Sequence, residues 1–112
     1  MPVFQVNTNV CLEDKADFLS QASSLVASVL GKPESYVMVQ LNDNQSMSFA
    51  GTSEPLAFCT LKSLGLSTTQ TAEISQQICT FLNAQCGIDT ARIYIEFAAP
   101  ERVMFGWDGG TF

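Results

Sequence analysis

GKPESYVMVQL (Gly31–Leu41) and GIDTARIYIEF (Gly87–Phe97) are the stretches whose reading decides the fold. In each, a glycine stands five or six residues ahead of an apolar, β-branched run, and the two glycines lie 56 residues apart, half of a 112-residue chain. Glycine readily adopts the left-handed conformation that ends a helix, and a short run rich in Val, Ile and Tyr bounded by turn residues reads as a strand. Upstream of Gly31, over Leu12 to Leu30, the apolar residues Phe18, Leu19, Ala22, Leu25, Val26, Val29 and Leu30 recur at helical spacing, with acidic residues gathered at the start. That spacing predicts an amphipathic helix closed by Gly31, with Pro33 just beyond. Upstream of Gly87 the same pattern, with Ile74, Ile78, Phe81 and Leu82 on one face, predicts a helix over about 69–86. The extended run MPVFQVNTNV precedes the first helix and LAFCTL (56–61) the second, so each half reads β-α-β.

An internal duplication of this kind implies an α+β fold. Strands joined by a right-handed crossover pair in parallel within each half, and the two units share one four-stranded mixed sheet with both helices on one face. The other face is then open. The near-continuous apolar character of YVMVQL (36–41) predicts that this face is apolar and covered by another copy of the chain. QSMSF around Met47 and RVMFGW around Phe105 are left over, and are expected to add edge strands that pair with a neighbouring sheet.

Composition narrows the function. The chain is 46% hydrophobic, and residues 1–112 read as one domain with one core. Its longest apolar runs fall short of the ~20 residues of a membrane span, and the opening lacks the pattern of a secretory leader, which together point to a cytoplasmic protein. Five basic residues against eleven acidic ones give a net charge of −6, and Lys15, Lys32, Lys62, Arg92 and Arg102 are dispersed. Nucleic acid and anionic membranes are therefore excluded as main partners, although a single cation in a cleft still suits a small anion. There is no histidine, so Ser-His-Asp and Cys-His catalysis are excluded, and Cys11, Cys59, Cys79 and Cys86 show no metal-ligand spacing. No metal site is expected. The cysteines read as buried free thiols.

Pro2 supplies what the absent histidine removes. A small residue after Met1 is the usual context for methionine removal, and the exposed terminus would be a secondary amine. An α-amine titrates near ~8, and burial lowers that by disfavouring the ammonium form. Such a nitrogen is a neutral base at physiological pH. The structural alternative is a proline that starts an edge strand where its missing N–H is harmless.

MPVFQVNTNV, GKPESY (31–36), MSFAGTSEP (47–55), ARIYIEF (91–97) and the terminal FGWDGGTF together resemble the macrophage migration inhibitory factor family of the tautomerase superfamily, over essentially the whole chain and in order. The resemblance implies a homotrimer whose three sheets line a barrel, and keto-enol tautomerisation of α-keto acids such as phenylpyruvate without metal or organic cofactor. It assigns Pro2 as the acid/base and Tyr94, reaching in from a neighbouring subunit, as the group that polarises or protonates the enolate oxygen. Lys32 and the Leu64 N–H correspond to the carboxylate anchor, and Tyr36, Phe105 and Trp107 to the pocket wall. An enolisation needs a base at carbon, stabilisation of charge at oxygen and an anchor for orientation, and Pro2, Tyr94 and Lys32 meet these in turn. Taken singly, Lys32 also reads as a solvated residue after a helix end, Tyr94 as a half-buried strand aromatic and Trp107 as interface packing.

Several positions depart from the mammalian pattern. Glu96 stands where those members carry asparagine, and a carboxylate there opposes an anionic substrate. Phe105 replaces a valine and narrows the entrance, and Leu66 replaces a lysine. Leu56 replaces the first cysteine of a CxxC pair, so Cys59 keeps no partner for dithiol chemistry and is left as a candidate single reactive thiol. A second function class is a cytokine-like homologue that binds a receptor protein through its surface, its pocket vestigial; family members leave cells without a leader.

Overall fold

Two helices of equal length carry the repeat. The computed structural model describes residues 1–112 and places α1 at Lys15–Leu30 and α2 at Thr71–Cys86, each of 16 residues. Gly31 (φ 61°) and Gly87 (φ 66°) close them in the left-handed conformation. After each glycine comes a 3-10 turn, Glu34–Tyr36 and Thr90–Arg92, and then a strand. α1 begins three residues later than its periodicity predicts, because the Asp14 carboxylate accepts the Asp17 N–H at 3.0 Å and caps the first turn.

The sheet comprises β1 (Val3–Thr8), β2 (Met38–Asn42), β3 (Ala57–Lys62) and β4 (Ile93–Ala98). Its order is β2-β1-β3-β4, parallel within each half and antiparallel where β1 meets β3, which makes it mixed as expected. Tyr36 and Arg92 lie in the 3-10 turns rather than in the strands that their runs predict. Both helices pack on one face. Phe4, Val6, Cys59 and Leu61 from the sheet meet Phe18, Ala22 and Val26 of α1 and Ile74, Ile78 and Leu82 of α2 in one buried core. The Phe18 and Phe81 rings join the helices at 5.4 Å between centroids. Burying each large apolar side chain contributes about 1.5–3 kcal/mol, which makes this interface the main source of stability.

The open face of the sheet is mixed rather than uniformly apolar, with Met38, Phe58 and Tyr94 exposed beside polar side chains. Val37, Val39 and Leu41 of the run YVMVQL turn toward the core, leaving Met38, Gln40 and Asn42 on the other side. Gln5 donates to Gln40 at 2.8 Å and Asn42 to Asn7 at 3.0 Å, so side-chain amides pair across β1 and β2. Period-two alternation wins over the apparent continuity of the run because β2 is an edge strand covered on one side only.

Within one chain neither leftover segment joins the four-stranded sheet. Around Met47 there is no strand, only a bridge between Phe49 and Thr52 beside Ala50 (φ 53°) and Gly51 (φ 76°). RVMFGW forms a 3-10 turn at Arg102–Met104 and then β5 (Gly106–Trp107), which pairs with β6 (Gly110–Thr111) of the same chain. Asp108 and Gly109, both at positive φ, supply the tight turn that folds this hairpin on itself.

Candidate active site

β1 and β2 begin side by side, and Pro2 directly precedes β1. Its carbonyl accepts the Met38 N–H at 3.0 Å, and its ring is fully buried. The C-terminal hairpin folds over this end of the sheet. Between them lies a cleft of about 250 Å³ bounded by Met1, Pro2, Tyr36, Met38, Phe105, Trp107 and Phe112. Its wall is a chain of aromatic rings: Tyr36 meets Trp107 edge-on at 6.0 Å, Trp107 stacks on Phe112 at 5.4 Å, and Phe112 contacts Phe105 at 5.7 Å. Offset and edge-to-face pairs of this kind hold aromatic walls in place.

A wider cleft of about 550 Å³ adjoins it, sharing Phe105 and bounded by Lys62, Ala98, Pro100 and Met104. It contains a cation but no base. The smaller cleft contains Pro2 and the aromatic wall.

With Met1 attached, the Pro2 nitrogen is a tertiary amide whose lone pair is delocalised, and it is not basic. The Met1 ammonium reports the electrostatics at this point. Burial chiefly, then the positive charges of Lys32 and Arg102, hold its pKa below the usual 8.0. Lys32 itself is placed by the end of α1, where its backbone N–H bonds the Ala27 carbonyl at 3.0 Å and that of Gly31 the Ser28 carbonyl at 3.3 Å. Its ammonium donates to the Leu64 carbonyl at 3.3 Å, which brings the two expected anchor residues together. The Leu64 N–H makes no bond within the chain.

Of the residues singled out in the sequence, Pro2, Tyr36, Phe105 and Trp107 thus meet in one cleft and Lys32 and Leu64 adjoin each other. Tyr94 and Glu96 do not join them within one chain. They lie on the open face of β4, where Tyr94 is 64% exposed and opposite Phe58, and Glu96 is opposite Thr60. Leu66 packs against the core. Phe112 is a member of the site that the sequence reading passes over, and Arg102 adds positive charge that acts on the Met1 amine. The Asp108-Gly109 turn is the signal for Phe112, since it returns the last residues onto Trp107.

The thiols stand apart from this cleft. Cys59 is fully buried, and burial pushes its pKa to about 12, so it is not a reactive thiol; burial raises Cys86 to about 11 and also raises Cys79. Cys11 is exposed rather than buried. No three His, Cys, Asp or Glu side chains converge as a metal-ligating group, and no helix is long and apolar enough to cross a membrane.

The family model for macrophage migration inhibitory factor matches residues 1–112. The chain is 41% identical to a macrophage migration inhibitory factor homolog of Trichinella spiralis over the full length of both, and 37% identical to macrophage migration inhibitory factor of Xenopus tropicalis over all of this chain and 99% of the other. It superposes on the macrophage migration inhibitory factor structure from Trichinella spiralis with a TM-score of 0.94 at 40% identity, covering 98% of this chain and 99% of that one. The homologue from Prochlorococcus marinus gives a TM-score of 0.92 at 37% identity, covering 98% of each. With the whole length matched in both sequence and fold, the chain belongs to the macrophage migration inhibitory factor family.

Proposed function

We propose that the chain, once Met1 is removed, is a keto-enol tautomerase of phenylpyruvate-like α-keto acids that uses the amine of Pro2 as acid and base. The observation that carries this reading is the position of Pro2, buried at the end of an aromatic-walled cleft where the adjoining amine is already held below its ordinary pKa. The same burial and the same cations act on a Pro2 amine and favour its neutral form. In the forward step the nitrogen removes the proton from the substrate's β-carbon, and the electron pair moves to the carbonyl oxygen. Lys32 and the Leu64 N–H hold the carboxylate, and the ring lies along Tyr36, Trp107 and Phe112.

The developing oxyanion needs a donor that one chain does not bring to its own cleft. A homotrimer in which Tyr94 of the partner subunit enters the cleft provides it, with residues 1–112 acting as one domain. The amide pairs on the open face support that assembly, because amide side chains suit the wall of a water-filled barrel. Glu96, two residues from Tyr94 on the same face, would sit near the cleft mouth in such a trimer, and its carboxylate repels an anionic substrate. Turnover of phenylpyruvate is therefore expected to be weak. A cytoplasmic location fits the same reading.

Intact mass and ketonisation of phenylpyruvate and 4-hydroxyphenylpyruvate, measured on one preparation and on its Pro2→Gly variant, test the proposal. The expected result is a methionine-free protein whose kcat/KM falls about 100-fold or more in the variant. Because the neutral amine is the active form and its pKa is depressed, kcat/KM should rise with pH and level off below the ~8 of an ordinary α-amine. A processed protein without activity on either substrate overturns the enzyme reading and favours a receptor-binding homologue with a vestigial pocket.

A further inference from the structure

Arg92 has no acidic partner, yet every nitrogen of its guanidinium donates to a backbone carbonyl. Nε donates to the Pro55 carbonyl at 3.0 Å, one terminal nitrogen to Phe49 at 3.2 Å, and the other to Thr52 at 3.3 Å and Glu54 at 3.0 Å. The same group lies 5.2 Å from the centroid of the Phe49 ring. Four backbone carbonyls and one aromatic face thus converge on a single planar cation, which Arg offers in a rigid fork and Lys cannot match. The segment so gathered contains no strand. Its turn holds Ala50 at φ 53°, a conformation that costs a residue with a Cβ about 1–2 kcal/mol and persists only where the surroundings impose it.

The clamp leads to Tyr94. Phe49 meets the Tyr94 ring edge-to-face at 5.0 Å and 75°. Tyr94 is otherwise 64% exposed, and its hydroxyl bonds to nothing in its own chain, so Phe49 is the aromatic contact that limits how the ring is aimed. Arg92 stands two residues before Tyr94, where the 3-10 turn at Thr90–Arg92 runs into β4. It therefore ties the loop to the strand that carries the phenol.

We propose that Arg92 is a positioning residue that sets the orientation of Tyr94 through Phe49. Its effect on catalysis rests on the reading of Tyr94 as the oxyanion donor; its effect on the ring does not. The chain has two tyrosines, so protein labelled with carbon-13 tyrosine shows two sets of ring resonances, and Tyr36 serves as the internal control.

Arg92→Ala should move the Tyr94 resonances toward their free-chain values and leave those of Tyr36 in place. Phe49→Leu, which keeps every carbonyl that Arg92 binds, should do the same and guards against a variant that does not fold. On methionine-free protein, Arg92→Ala should lower kcat about tenfold with KM nearly unchanged, the pattern of an interaction made in the transition state. The loss should vanish when the substitution is made in Tyr94→Phe. Unmoved Tyr94 resonances in both folded variants overturn the proposal, as does a kcat loss that persists undiminished in Tyr94→Phe. If Tyr94→Phe by itself leaves kcat unchanged, the catalytic reading of Tyr94 fails, while the resonances still decide whether Arg92 orients the ring.

Discussion

The two halves of the molecule have one scaffold and two uses. α1 and α2 have the same length, end on glycines of the same conformation and lead through 3-10 turns into strands. The residues at matching places differ in what they touch. Lys32 follows the first glycine and leans on the Leu64 carbonyl beside the cleft, whereas Ile88 follows the second and is wholly buried. Pro2 precedes β1 at the cleft, and Leu56 precedes β3 in the interior. Tyr36 ends the first 3-10 turn as part of the aromatic wall, and Arg92 ends the second as a clamp on the loop at 49–55. Positions that backbone geometry requires stay alike, and those it leaves free hold the cleft in one half and the packing in the other.

This contrast can be broken at several places. Ile88→Ala should cost about 2–5 kcal/mol of stability in denaturant unfolding, because it leaves a cavity where the core has no slack. Lys32→Ala, at the matching place, should leave the unfolding midpoint near wild type and raise KM for an α-keto acid about ten- to a hundredfold, the worth of a charge-assisted hydrogen bond. Equal instability in the two variants would make Lys32 a structural residue. Gly31→Ala and Gly87→Ala should each cost about 1 kcal/mol and by similar amounts, since both glycines sit near φ +60° with open space around them. A large inequality would show that only one of the turns is needed to end its helix.

The smallest effect concerns acid. Asp43, beyond β2, accepts the Leu12 N–H at 3.0 Å and lies 3.4 Å from the Lys15 ammonium. The backbone bond chiefly, with Lys15, holds its pKa below the ordinary 3.8. A depressed carboxylate stabilises the native state above its unfolded pKa and loses that contribution as pH falls through the folded value. Unfolding midpoints of wild type and Asp43→Asn should therefore converge below about pH 4. A gap that stays constant with pH would assign the difference to Asn itself.

Much of the fold was legible because local rules and packing agree. Helical spacing at Phe18, Ala22 and Val26 and at Ile74, Ile78 and Leu82 marks the faces that are buried, and the glycines mark the ends. The strand of YVMVQL was legible as a strand but not in its facing: a short apolar run does not reveal whether one side or two will be covered. The turn around Met47 was not legible for another reason. Its shape is imposed by Arg92, more than 35 residues away in the chain, and no local propensity encodes that.

The candidate site divides in the same way. Pro2 stood out as an amine in a chain without histidine, Lys32, Phe105 and Trp107 were singled out through the family resemblance, and Phe112 was missed because its role depends on the hairpin that folds it back. By itself the sequence determined the duplicated β-α-β order, the helix ends and the residue types fit for acid/base work, since these follow from periodicity and backbone conformation. Tertiary structure alone decided which residues of YVMVQL face the core, which rings wall the cleft and where Arg92 gathers the loop at 49–55. Those depend on pairing between distant strands, where the free energy of one contact is shared by residues that no local window contains.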